Sequence, residues 1–208
     1  RRASPRMKLL LATRNRNKVR ELSCLLEDHG FSIELVSLED FPALAEVAED
    51  GTTLEQNACK KALFPALSTR LWTLADDTGL EVAALEGRPG VLSARYAGEA
   101  CDAAANNEKL LRELGGVALA ARKAVFRCVV ALASPQGSVC IAQGRLEGKI
   151  ALEPEGSNGF GYDPLFLVTE LGKTLAQMTA REKSLISHRA RAVGAIAPFL
   201  TNALEHAP

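Results

Sequence analysis

The segment Ala75-Asp76-Asp77-Thr78-Gly79-Leu80 sets two carboxylates side by side after Leu71-Trp72-Thr73-Leu74, a short apolar and aromatic run of the kind that becomes a buried strand. Adjacent like charges repel, so the pair is favourable only where a cation or a shared proton sits with it. It is therefore a candidate for metal binding or proton transfer, and it also fits a solvated Asp-Asp-Thr-Gly turn. A second candidate is Thr13-Arg14-Asn15-Arg16-Asn17-Lys18, between an apolar run and a helical periodicity. There, unpaired backbone N–H groups and the positive helix end favour phosphate. The loop lacks the glycine spacing of a Walker motif, and a basic first turn equally suits a solvated helix face.

Three further segments carry usable chemistry. Glu49 stands before a turn and could complete a metal site with Asp76 or Asp77, while Lys61 follows Asn57 by one helical turn on the same face. Capping alone accounts for Thr52 and Thr53. Between Gly156 and Pro164, three glycines and a proline display Phe160, Gly161, Tyr162 and Asp163. Those parts would stack on a planar base and read its edge, or equally plug the space beneath a loop. Finally, His188, beside Arg189 and downstream of Lys183, could form one donor-rich wall or equally be a structural histidine.

The elements that must position these residues follow from apolar spacing. Lys8 to Ala12 predicts a strand, and Val19, Leu22, Leu25 and Leu26 predict a helix running to Gly30. Phe31 to Val36 predicts a second strand, and Leu54 to Leu63 a helix that Pro65 should end or kink. Leu71 to Ala75 and Leu80 to Leu85 are expected as strands flanking an acidic turn, and Asn107 to Leu114 as a helix closed by Gly115-Gly116. Lys123 to Ala133 and Ser138 to Gly144 flank a hairpin signal, Leu165 to Val168 predicts a strand, and Thr179 to Glu182 fits a capping box. Early alternation of helix and strand with a late long hairpin predicts an α/β fold around a mixed sheet.

Composition narrows the partners. With 25 basic and 25 acidic residues the net charge is zero, so no global field attracts nucleic acid polymers or anionic membranes, and an anion must be met locally. No apolar run approaches a membrane span and no signal peptide is visible, which predicts a cytoplasmic protein. Five cysteines without C-x-x-C spacing and three scattered histidines argue against zinc, leaving magnesium on carboxylates as the plausible metal. Residues 1–6 read as a frayed extension or expression remnant, and residues 7–208 as one domain.

Taken in order, these segments resemble the inosine and xanthosine triphosphate pyrophosphatase family, over about Lys8 to Leu200. Its T-x-N-x-x-K loop is matched by Thr13, Asn15 and Lys18, followed by Glu21. Its E-x-G-x-T and N-A-x-x-K-A stretches are matched by Glu49, Gly51, Thr53, Asn57, Ala58, Lys61 and Ala62. A-D-D-S-G-L appears with Thr78 for Ser, S-A-R-Y as Ser93 to Tyr96, F-G-Y-D-P as Phe160 to Pro164, and the last motif as Glu182, Lys183, Ser187, His188 and Arg189. Arg14 stands where many relatives have Gly, and Leu54 where Phe is common.

The resemblance implies a two-lobed α/β fold with a long mixed sheet flanked by helices, a cleft between the lobes and a homodimer. It implies hydrolysis of ITP, dITP and XTP to monophosphate and pyrophosphate. Glu49 and Asp77 would bind magnesium, Asp77 would also activate water, and Asp76 would assist. Thr13 to Lys18, Lys61 and Thr78 would hold phosphates, and Phe160, Gly161, Tyr162, Asp163, Lys183, His188 and Arg189 the base. A pyrophosphatase for other modified triphosphates, or a catalytically silent nucleotide-binding regulator, are the alternatives.

Overall fold

The computed structural model describes residues 7–205, so the expected extension at residues 1–6 lies outside the described residues. The fold is α/β around one mixed sheet, as the order of elements predicts. Its strands are β1 (Lys8–Leu11), β2 (Glu34–Ser37), β3 (Trp72–Val82), β4 (Pro89–Gly90), β5 (Lys123–Ala133), β6 (Val139–Ile150), β7 (Phe166–Val168) and β8 (Lys173–Thr174). They run in the order β2-β1-β3-β5-β6-β7-β8, with β4 paired to β3. β1 is parallel to β2 and β3, whereas β4 is antiparallel to β3 and β7 is antiparallel to both β6 and β8. The helices are α1 (Arg16–Asp28), α2 (Leu54–Thr69), α3 (Ala103–Glu113), α4 (Ala180–Ile186) and α5 (His188–Glu205).

The chain divides into two compact units. The first comprises residues up to Asp77, Cys128–Gly144 and the chain from Arg189 onward; the second comprises Thr78–Arg127 and Arg145–His188. In the first, Leu22, Leu25 and Leu26 of α1 and Ala192, Val193, Ile196 and Leu200 of α5 present helical stripes. They share one core with residues at alternate positions of the strands, Leu9 and Leu11 in β1 and Cys128, Val130 and Leu132 in β5. The second unit has its own core, including Leu80, Val82, Leu110, Leu114, Phe126, Ile150, Phe166 and Leu175. There the buried Arg122 donates to the carbonyls of Val117 (2.9 Å), Ala151 (3.0 Å) and Leu114 (3.0 Å), satisfying a carbonyl that α3 leaves open at its C-terminal end.

Three expectations need correction. The acidic pair is not on a turn: β3 runs unbroken from Trp72 to Val82 with Asp76 and Asp77 in its interior. Asp, Thr and Gly are turn formers, but their preference is weak, and here the burial of β3 and the charge partners of the two carboxylates override it. Of the two outcomes expected at Pro65, an end or a kink, the first does not occur: α2 continues to Thr69 and closes at Arg70, which adopts left-handed backbone angles. Proline removes a single N–H bond, and the last turn is supported by Ser68 and Thr69 hydroxyls donating to the carbonyls of Phe64 (2.9 Å) and Pro65 (2.8 Å). The two expected strands after Gly30 and Gly137 also shift, to Glu34–Ser37 and Val139–Ile150. The hairpin itself is as expected, with Gly137 N–H donating to Ser134 O at 3.0 Å.

All five cysteines are free. Among the described residues no helix is long and apolar enough to cross a membrane.

Candidate active site

In the first unit, side-chain alternation along β3 resolves the apparent conflict of neighbouring carboxylates. Successive residues of a strand point to opposite faces, and Asp76 and Asp77 accordingly have different hydrogen-bond partners. Asp76 is fully buried and its Oδ2 meets Lys18 Nζ at 3.0 Å and Arg189 Nη2 and Nε at 3.0 and 3.3 Å. Arg189 also donates through Nη1 to Glu21. Burial by itself would raise the Asp76 carboxyl, but the charges of Lys18, Arg189 and Lys61 outweigh it and hold the group far below the usual carboxylate range. Lys18 and Glu21 lie three residues apart on α1, so one helix face supplies both a cation and an anion to this network.

Asp77 belongs to a second cluster. Lys61 Nζ lies 3.0 Å from Asp77 Oδ1 and 3.1 Å from Glu49 Oε1, so a single ammonium group draws both carboxylates together. Burial pushes the Asp77 carboxyl up and Glu49 adds to the push, against the opposing charges of Lys61 and Lys18. The lysine itself is raised: burial works to neutralise it, and Asp77, Asp76 and Glu49 outweigh that. Asp77 Oδ2 is buried with no hydrogen-bond partner among the described residues. A buried carboxylate oxygen left without a donor suits a hard cation. Among the described residues no group of three or more His, Cys, Asp or Glu side chains converges as a metal site. Glu49 and Asp77 thus form a set of two carboxylates, which is the number magnesium commonly takes when substrate phosphates and water complete its octahedron.

The phosphate-loop candidates occupy the turn that opens α1. Asn15 is its N-cap, its Oδ1 accepting from the N–H groups of Asn17 (3.0 Å) and Lys18 (3.2 Å), while Thr13 Oγ1 accepts from Asn15 N–H at 3.1 Å. Arg14, Asn15, Arg16 and Asn17 are exposed, and Arg16 pairs with Glu39 at 3.3 Å. The departure from glycine at position 14 is accommodated in the open, with Arg14 Nη2 reaching the Leu44 carbonyl at 3.5 Å.

The base-reading candidates lie in the second unit, apart from Arg189. Asp163 is buried, accepts from Phe160 N–H at 2.9 Å and pairs with buried Lys183 at 2.6 Å. Lys183 also stands over the Phe160 ring, 4.9 Å from its centroid. Gly159 has a positive φ of 73°, and a Cβ there would lie 2.0 Å from Asp163 Oδ2, so this turn admits glycine alone. Tyr162 is not displayed for stacking. It is buried in the core, its hydroxyl donates to Ser93 O at 2.8 Å, and burial pushes that hydroxyl well above its ordinary range. Gly161 is partly exposed and its carbonyl accepts from Asn107 Nδ2 of α3 at 3.0 Å. His188 stacks on Phe126 with ring centroids 4.5 Å apart and planes 17° from parallel. Thr78 opens this unit, one residue after the acidic pair.

The structure therefore brings Lys18, Asp76 and Arg189 together, joins Glu49, Lys61 and Asp77, and groups Phe160, Asp163 and Lys183. It seats Arg189 with the acidic network of the first unit. Sequence reasoning left Asn57 and Cys128 without a role at the site. Cys128 Sγ lies 4.0 Å from Asp76 Oδ2 on a neighbouring strand, a contact no local pattern announces.

The comparisons with known proteins agree on one relationship. The Ham1 family model matches residues 9–199. A dITP/XTP pyrophosphatase of Geobacter sulfurreducens is 50% identical over 193 residues, which cover 93% of this chain and 96% of that protein. Among solved structures, a HAM1 protein from Coxiella burnetii has a TM-score of 0.84 at 39% identity, covering 94% of this chain and 99% of its own. A nucleoside-triphosphatase, or dITP/XTP pyrophosphatase, from Mycobacterium abscessus has a TM-score of 0.74 at 46% identity, covering 93% and 100%. With a match that runs almost end to end in both sequence and fold, the chain belongs to the Ham1 family.

Proposed function

We propose that this protein hydrolyses the non-standard purine nucleoside triphosphates ITP, dITP and XTP to monophosphate and pyrophosphate, with magnesium. The observation that carries the reading is the Glu49–Lys61–Asp77 cluster, where a buried carboxylate with one unpartnered oxygen sits beside a second carboxylate and a lysine. Glu49 and Asp77 would hold magnesium, which when bound neutralises phosphate charge. Asp77 takes the proton from the water that attacks the α-phosphorus. Lys18 and Lys61 stabilise the charge that builds on departing pyrophosphate. Asp76 orients Lys18 through their 3.0 Å ion pair. Phe160, Asp163, Lys183 and His188 take the base, where hydrogen-bond donors suit O6 of hypoxanthine or xanthine and oppose the amino group of adenine. The proposal includes a homodimer in the cytoplasm, the former checked by light scattering in solution.

The test is a panel of purine and pyrimidine triphosphates at one magnesium concentration with products separated. ITP and XTP are expected to yield pyrophosphate at least about 100-fold more efficiently than ATP. Release of orthophosphate, a preference for pyrimidines, or no turnover would each overturn the reading, the last in favour of a silent nucleotide binder. In the same assay Lys18→Ala should lower kcat/KM for ITP and XTP alike by about 10- to 150-fold, the worth of one charged hydrogen bond. A loss confined to one base would remove Lys18 from the phosphate site.

A further inference from the structure

Asn57 is a buried carboxamide tied to the Glu49–Lys61–Asp77 cluster through α2 and Gly51. It lies in α2, 1% exposed, four residues before Lys61 and so on the same helix face. Its Oδ1 accepts from Gly51 N–H at 2.8 Å, two residues beyond Glu49. The fit is close: a Cβ on Gly51 would lie 2.5 Å from that same oxygen. Its Nδ2 is buried without a hydrogen-bond partner among the described residues. Burying an unpaired donor is costly, so a small apolar residue would suit this spot better for packing alone. What an apolar residue cannot supply is the acceptor for Gly51.

The acidic loop has three other side-chain attachments to α2, and none can fix Glu49 when a cation is present: the first, Lys60 to Asp50 at 2.5 Å, joins two exposed side chains and is screened by solvent. Lys61 reaches the Glu49 carboxylate itself at 3.1 Å, the group a cation must take over. Thr52 N–H and Oγ1 both donate to Gln56 Oε1 at 2.8 and 3.1 Å, but these residues are exposed and water competes. The Gly51–Asn57 bond is backbone-directed and involves no group that a cation would claim. We propose that Asn57 is a positioning residue that sets the Glu49 carboxylate for a divalent cation by anchoring Gly51. This rests on the reading of Glu49 as a magnesium ligand.

The experiment is Mn2+ binding, measured by electron paramagnetic resonance on wild type, Glu49→Gln, Asn57→Ala, Gly51→Ala and the Asn57→Ala/Glu49→Gln double variant, with thermal unfolding followed for each. Asn57→Ala should weaken Mn2+ binding about 10-fold or more, the usual effect of losing a group that orients a metal ligand. Adding Glu49→Gln should weaken it no further, because residues acting through one ligand are not additive. Gly51→Ala attacks the same contact from the loop side and should weaken binding likewise, which keeps the test open if Asn57→Ala fails to fold. If Glu49→Gln lowers affinity while Asn57→Ala and Gly51→Ala do not, the positioning role is refuted and the metal reading stands. If Glu49→Gln itself leaves the affinity of wild type unchanged, the metal reading fails and this proposal with it. Additive losses in the double variant would also refute it, since they would place Asn57 on a path independent of Glu49.

Discussion

Replacing Asp77 with asparagine is expected to lower kcat/KM for ITP by about 1,000-fold or more, because the change deletes a proton acceptor and a charged metal ligand together. Shape is nearly conserved, and Lys61 keeps Glu49 as a partner. The structure makes this a test of chemistry rather than of folding. The Asp77 carboxyl is pushed above its ordinary value, so its ionised form is disfavoured by the folded protein, and that cost is present once the pH rises above the folded value. The asparagine variant should therefore unfold no earlier than wild type at neutral pH while turning over no ITP. Turnover within about tenfold of wild type, roughly 1.4 kcal/mol of barrier, would remove Asp77 from the reaction.

Asparagine at position 76 should do the opposite. There the loss of charge removes the carboxylate that lies 3.0 Å from both Lys18 and Arg189. Breaking a buried ion pair from one side costs about 3–5 kcal/mol. For a chain of this size that is a fall of about 6–20 °C in Tm. The pH dependence has a definite sign. Asp76 titrates below its ordinary 3.8 in the folded state, so its contribution is complete above that value and fades only as the pH falls below it. The gap in Tm between wild type and Asp76→Asn should thus be constant through neutral and mildly acidic pH and shrink below about pH 4. Equal stability at neutral pH would mean that the network contributes nothing.

How far the sequence announced this arrangement depended on whether the cause was local. The strand, capped turn and helix from Lys8 to Asp28 were legible because apolar period and the Asn15 cap lie within one stretch of chain. So was the capping box of α4, where Thr179 and Glu182 satisfy each other across three residues. The interior position of Asp76 and Asp77 on β3 was not, since the residues that make it tolerable come from α1, α2 and α5, and Arg189 lies 113 positions away. Composition favoured a turn, and tertiary charge pairing decided for a strand. Tyr162 shows the same limit in reverse: a glycine-rich loop advertises exposure, while its hydroxyl is fixed by the carbonyl of Ser93, 69 residues earlier. The motif resemblance supplied the identities of these residues and separate roles for the two aspartates, but not the ion pairs with Lys18 and Arg189 on one side and Lys61 on the other that keep them apart.

The three-part make-up of the first unit has a consequence for how the protein is made. Synthesis runs from the amino end, so both stretches of the second unit are complete once His188 is added, while the first unit still lacks α5. Until then the apolar faces of β1 and α1 have no Ala192, Val193, Ile196 or Leu200 to cover them, and Asp76 has no Arg189. The nascent chain must thus carry an open core and a carboxylate without its guanidinium partner through most of its translation. Translation stalled after His188 would leave the second unit with its full sequence and the Asp76 network without its guanidinium, and refolding of such a product should expose the first-unit core to chaperones and proteases.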